Sequence, residues 1–500
     1  MAVGAGCGGG SDSANVSGPA QKFDPPASAQ DQSIVVASYS EANSLDPQAT
    51  DDDAQYPVLW RVYESLVDFD REGNVVPLLA AELPKRIDDT TWEVDLLPDV
   101  TFSDGQPFTA DSAVASIERI IDPDYGSQLT EIETIKGAEK VDADTIRITT
   151  KAADPLLPYR LRSVKMLPEN LPDFNADQAN GTGPYMLASY KAASQAELVS
   201  NPEYRGDQPP VTNVTVRFIP DPGTRVQALK AGELDLMLGL LPDQMASAPK
   251  VIQTLAGTNT GLVRINAHAG ILADARVRQA LNYAIDSATL TENLFAGTAT
   301  PANCQPAPPQ AGNTNPALEP YPYDPEKAKQ LIEAAGATGK PVDVSWSTGV
   351  FTQDRAIGEA VAEYWRDAGL DVNLKIQPYN PWLKDIYTSG PKAPELTYTE
   401  TDNSLNNIDR QVFTFYHTKG AVNTYDDPGL DQEIEQAEST LDDAERQQLY
   451  DAILKKTCDD AALVFLYFRK ELLGASADLD YAVRSDVASK LYYDQMYLAK

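Results

Sequence analysis

The sequence predicts a two-lobed α/β protein, and three observations carry that reading. The chain has 500 residues, well past the size at which one hydrophobic core stops growing, so at least two lobes are needed. Apolar residues make up 42% and charged residues 23% of it, the balance of a folded globular protein rather than of a disordered or fibrous one. Strands and helices come in mixed order up to Leu262, and beyond it helices alternate with single strands, the pattern of an α/β lobe.

Residues 1–33 are rich in Gly, Ser, Ala and Pro without hydrophobic periodicity and read as a flexible tether. Order begins at Ile34, with the strand-like run Ile34 to Tyr39 and a turn at Asn43-Ser44-Leu45-Asp46-Pro47. A helix fits Tyr56 to Val67, where Val58, Leu59, Val62, Tyr63 and Leu66 recur at helical spacing. Thr91 to Leu96 alternates as a strand, Thr109 or Asp111 caps a helix over Ser112–Ile121, and Thr145 to Thr149 alternates again. Val211–Ile219 is a strand, and a helix over Thr224–Ala231 stops at Gly232 before the short strand Leu234 to Leu238.

In the later half, helices fit Asp274–Ile285, the segment opened by Asp324-Pro325, and Asp354–Ala368 before the strand Val372 to Ile376. The prolines of Ala299–Pro322 make that stretch an irregular connection rather than a helix or central strand. Leu430–Lys456 is amphipathic and helical, with a break at Asp442-Asp443.

Acidic residues number 74 against 40 basic, a formal charge of −34, and such a field repels a polyanion, so nucleic acid is excluded as a partner. No apolar run is long enough to span a membrane. Catalytic motifs of the local kind are absent: no H-E-x-x-H, G-x-S-x-G or Walker A pattern occurs, and Pro184 spoils Gly181-Thr182-Gly183 as a phosphate loop. Neither a catalytic residue nor a metal or cofactor site is therefore expected. The run Asp51-Asp52-Asp53 lacks the ligand ladder of a calcium loop and reads as a solvated turn.

Small residues run into Cys7 as they do at the cleavage site of a bacterial lipoprotein signal, so Cys7 is a candidate for lipidation. Gly4 stands where Leu or Val is usual, and an exposed tail cysteine is the alternative. Cys304 and Cys458 are an even pair that forms either a disulfide in an oxidising compartment or two buried thiols.

Several segments, in order, resemble the family 5 bacterial extracellular solute-binding proteins, which include dipeptide-, oligopeptide- and nickel-binding members. They include Ser44-Leu45-Asp46-Pro47, Val62-Tyr63-Glu64-Ser65-Leu66-Val67, Phe102-Ser103-Asp104-Gly105-Gln106-Pro107-Phe108, Gly181-Thr182-Gly183-Pro184-Tyr185, Ala231-Gly232-Glu233-Leu234-Asp235 and Arg276-Val277-Arg278-Gln279-Ala280-Leu281. The resemblance implies a class II periplasmic-binding-protein fold whose two lobes are joined by a two-crossover hinge near Leu262 and Leu466. Lobe one would be 34–262 plus 467–500, with an extra subdomain at about 70–185, and lobe two 263–466.

The function it implies is that of a monomeric, extracytoplasmic component of an ABC importer, in the periplasm or at the outer face of the membrane, held there only by a lipid anchor. It would deliver peptides or peptide-like solutes to the permease. The alternatives are a sugar-phosphate opine, an oligosaccharide or a nickel chelate and, in another class, a secreted hydrolase.

In peptide-binding relatives an aspartate before the long C-terminal helices pairs with the peptide ammonium. The corresponding stretch ends Tyr398-Thr399-Glu400-Thr401-Asp402-Asn403, which makes Asp402 the first candidate anchor, Glu400 the second and Asn403 a neighbour. The bland alternative is that Asp402 caps the next element. Relatives line the cleft with the end of the first strand, here Tyr39, Ser40 and Glu41. Trp346, Tyr379, Trp382 and Tyr398 could wall the pocket or pack in the core. Arg355 could pair with a ligand carboxylate or stand in solvent.

Overall fold

The computed structural model describes residues 23–499 apart from 24, 51, 130, 171–173, 176–178, 256 and 258; Cys7 lies outside them. Two large sheets organise the two lobes. The first has seven strands in the order Lys250–Gln253, Leu472–Ala475, Leu236–Met237, Gln32–Ser38, Val211–Phe218, Gln195–Ser200 and Tyr185–Lys191. Its centre is parallel: Gln32–Ser38 lies between Val211–Phe218 and Leu236–Met237, which are joined over one face by the helix Pro222–Lys230. Covered on both faces, Gln32–Ser38 carries the near-continuous apolar run Ile34-Val35-Val36-Ala37 that such a strand requires.

The second sheet has six strands, in the order Ala299–Pro301, Leu463–Arg469, Asn259–Ile265, Leu396–Asp402, Pro341–Ser347 and Asp371–Gln377. Pro341–Ser347 and Asp371–Gln377 pair in parallel through the helix Asp354–Asp367, whose stripe of Ile357, Val361 and Trp365 is buried against the sheet. The chain passes between the sheets twice, between Gln253 and Asn259 and between Arg469 and Leu472. Leu262 and Leu466 stand inside strands of the second sheet.

A smaller sheet of Lys85–Arg86, Thr91–Asp95, Thr145–Thr150 and Ile135–Lys140 packs with the helix Ala110–Ile121 over its own core, drawn from Leu66 to Met166. Thr109 and Ser112 close a reciprocal capping box at that helix's start.

The helix expected over Tyr56–Val67 stops at Leu59. The periodic side chains are buried as a helix would bury them, but the backbone goes elsewhere. The carbonyls of Arg61 and Val62 accept from the amides of Tyr185 and Gly183, at 3.2 and 3.0 Å, and that of Glu64 from Met166 at 2.8 Å. A Cβ on Gly181 or Gly183 would collide with the carbonyls of Val62 and Arg61. The Gly-Thr-Gly-Pro turn is thus a point of backbone-to-backbone packing.

The break predicted near Asp442 is real: helices Pro428–Ser439 and Asp443–Asp459 are separated, and Asp442 caps the second through the Glu445 amide at 2.9 Å. The proline-rich connection adds a short edge strand, Ala299–Pro301, where a missing N–H is tolerated. It is tied to the last long helix by a disulfide between Cys304 and Cys458, with the Cα atoms 5.4 Å apart.

Candidate ligand-binding cleft

Between the lobes lies a cleft of about 1120 Å³. Its first-lobe side presents Asp53, Glu131, Lys151, Asp154 and Arg160; its second-lobe side is built by the end of strand Leu396–Asp402 and by the helices Tyr379–Ile386 and Asp409–Tyr416. Carboxylates outnumber basic groups around it. Trp382, Leu383, Ile386, Phe351, Phe413 and Phe415 supply an apolar wall, so the cavity combines contact area with charge, as ligand sites do.

Strand Leu396–Asp402 delivers the two candidate carboxylates into different surroundings. Glu400 is sealed at its base: Arg469 pairs with it at 2.7 Å, the Tyr467 hydroxyl donates to it at 2.7 Å and the Tyr398 hydroxyl at 3.3 Å. The buried Arg469 guanidinium is held even more firmly protonated by that carboxylate, although burial alone would oppose its charge. Glu400 also lines the cleft, but its charge is already matched by Arg469.

Asp402 is different. Its side chain is 39% exposed to the cleft, and the nearest basic group is Arg410 at 3.6 Å. It caps no helix, because Asp409–Tyr416 begins after Ile408. Asn403 is a turn residue whose carboxamide oxygen accepts from the Asn407 amide at 3.1 Å.

Tyr398 and Trp346 do not wall the cleft. Their rings stack 4.2 Å apart and nearly parallel inside the second-lobe core, because their side chains sit on the face of the sheet that packs against helix Asp354–Asp367. Trp382 does line the cleft, fixed by its indole N–H on the Tyr398 carbonyl at 2.8 Å and by Phe351 edge-on at 5.2 Å. Phe351 is held in turn by the Asp354 carboxylate, which accepts from the amides of Val350 and Phe351.

Tyr379 and Arg355 point to solvent; Arg355 pairs with Glu359 at 2.9 Å, one helical turn on. Glu41 accepts from the Ala193 amide at 2.6 Å and secures a hairpin tip. Ser40 is bound locally to the Ser38 hydroxyl. Tyr39 lies behind the cleft near Asp53, Glu471 and Arg225, and burial pushes its hydroxyl far above the usual range.

A family model for bacterial extracellular solute-binding proteins, family 5 Middle, matches residues 74–428. The chain belongs to this family. The solute-binding protein is 26% identical over 495 residues to the nickel-binding periplasmic protein of Escherichia coli K12, covering 87% of this chain and 89% of that one. It is 30% identical over 373 residues to heme-binding protein A of Haemophilus influenzae, covering 67% and 68% of the two chains. Among solved structures, the substrate-binding protein CtaP of Listeria monocytogenes superposes with a TM-score of 0.83 at 21% identity, covering 94% of this chain and all of that one. DppA of Helicobacter pylori, in complex with the peptide STSA, does so at 0.77 and 21% identity, covering 95% and 99%.

As a member of this family the protein binds a solute outside the cytoplasm. No helix among the described residues is long and apolar enough to cross a membrane.

The cleft also contains groups that sequence reasoning missed. Arg160 pairs with Asp154 on its own side at 3.1 Å and with Asp409 on the other at 3.0 Å. Arg410 reaches back to Glu131 at 3.2 Å. The Glu438 carboxyl, beside Asp409, is pushed up to about 8 by burial and by that neighbour, with Arg160 opposing. Asp53 is an exposed turn residue, as expected of that run, and it lines the cleft. None of these residues has a signal in local spacing.

Proposed function

We propose that the solute is a peptide or peptide-like molecule, gripped by its ammonium on Asp402 and by apolar side chains against Trp382, Phe413 and Phe415. The observation that carries this is the contrast between Glu400, already neutralised by Arg469 at 2.7 Å, and Asp402, which opens into the same cleft with Arg410 farther off at 3.6 Å. A carboxylate in a low-dielectric cleft binds an ammonium more strongly than one on an open surface. The first lobe, up to Gln253 and from Leu472, closes on the second, 259–469, and the two linking passages act as the hinge. Contacts such as Arg160 to Asp409 and Asn406 to the Gly73 carbonyl, at 2.9 Å, support a closed, engulfing arrangement.

Native mass spectrometry of the purified protein, followed by a thermal-shift screen of peptides, sugars and metal chelates, tests this reading. Peptides with a free amine should raise the melting temperature by mass action. A response to sugars or chelates alone would overturn it.

A further inference from the structure

The first lobe contains a second, much smaller cavity, of about 20 Å³, which is room for a water or two or for one small ion. We propose that it is a binding site for a halide-sized monovalent anion, held by the ammonium groups of Lys165 and Lys490 beside the indole of Trp60. This site is separate from the cleft, and its occupant does not depend on what the solute is.

The lining sets the sign of the occupant. Arg162, Lys165 and Lys490 all line the cavity, and no carboxylate does. All three cations are buried, and they crowd one ring. The Lys165 ammonium lies 3.5 Å from the centroid of Trp60, the Lys490 ammonium 4.8 Å and the Arg162 guanidinium 4.7 Å. An indole face attracts a cation but carries no net charge, so it cannot neutralise three.

The acidic groups behind this wall are committed to the arginine. Asp68 pairs with Arg162 at 2.9 Å and accepts from the Tyr492 hydroxyl at 3.0 Å. Asp486 also pairs with Arg162, while Lys490 comes no nearer to it than 3.9 Å. Lys165 donates to the Ser65 hydroxyl at 3.4 Å, and among the described residues it forms no ion pair.

A second observation points the same way. The indole N–H of Trp60, which lines the cavity too, is buried without a hydrogen-bond partner. A buried donor left unpaired is costly, and a buried charge without a counter-charge more so. Water would serve the donor but leave the charge; a small anion serves both. Burial, with the cations of Arg162, Lys490 and Arg61 and against the pull of Asp68, pushes the Lys165 ammonium down to about 7. A bound anion would keep that lysine charged.

Crystals of the full chain soaked in sodium bromide, with data collected at the bromine absorption edge, should show an anomalous peak in this cavity, in contact with the ammonium groups of Lys165 and Lys490. In solution at pH 6, where Lys165 is protonated, the unfolding midpoint should be higher in sodium chloride than in sodium gluconate of equal ionic strength, by roughly a degree or more. Lys165→Met should abolish both the bromide peak and the chloride-specific gain. Lys165→Gln removes the same charge and serves if the thioether packs badly. No chloride gain in the wild type, a gain of equal size in the Lys165 variants, or bromide crystals whose cavity holds only water would each overturn the proposal. None of these readouts involves the solute, so a failed peptide screen leaves them unchanged.

Discussion

Arg160 spans the cleft, holding Asp154 on its own lobe at 3.1 Å and Asp409 on the other at 3.0 Å. Asp409 also accepts from the buried Tyr450 hydroxyl, so the second-lobe end of this bridge is anchored in a core. Arg160→Met leaves two carboxylates facing each other without their shared cation. Closure should weaken by roughly 3 kcal/mol, seen as a larger radius of gyration in scattering, with the fold intact by circular dichroism.

The two acidic residues of strand Leu396–Asp402 should separate cleanly. Asp402→Asn is expected to cost on the order of 2–5 kcal/mol of affinity for a peptide with a free amine and little stability. Glu400→Gln strands the Arg469 guanidinium and should cost about 3–5 kcal/mol of stability, measured by denaturant unfolding. A reversal of the two outcomes would exchange their roles.

Glu438 provides a pH-dependent stability change of predictable sign. Its carboxyl is raised to about 8 in the folded protein, so its ionisation works against folding as pH climbs from the ordinary carboxylate range towards 8, and then levels off. Glu438→Gln should therefore be more stable than the wild type by on the order of 1–3 kcal/mol at pH 8 and indistinguishable from it near pH 4. Urea unfolding at the two pH values checks this.

The Cys304–Cys458 disulfide fastens a proline-rich connection to the last long helix across 154 residues of sequence. Reduction, or a Cys304→Ser and Cys458→Ser pair, should lower stability by about 2–4 kcal/mol. Under denaturing, non-reducing conditions neither cysteine should take up an alkylating reagent.

What could be read from sequence follows the range of the forces involved. Helix Asp354–Asp367 and the break at Asp442 announce themselves through periodicity and caps, which act within a few residues. Val62 and Tyr63 keep a helical spacing while the carbonyls of Arg61 and Val62 are claimed by Tyr185 and Gly183, more than a hundred residues away, and no local rule sees that. Strand Leu396–Asp402 was found for the right segment, yet which of its carboxylates is spent depends on Arg469 and Tyr467 from another strand. Tyr398 and Trp346 read as pocket or core from sequence, with core the commoner fate of such an aromatic, and the pleat of the sheet decides for core. Asp53 is solvated as its run of aspartates suggested, and only the fold brings it to the cleft.

The first sheet draws strands from both ends of the chain: Leu472–Ala475 sits between Lys250–Gln253 and Leu236–Met237, and Gln32 exchanges hydrogen bonds with Leu498. The second sheet is contiguous in sequence, from Asn259 to Arg469. Synthesis runs in one direction, so the second lobe has all its strands first, while the first lobe waits for the strand Leu472–Ala475 to complete its order. A chain bound for the far side of a membrane gains from that delay, because its first lobe stays threadable until Leu472–Ala475 has been made.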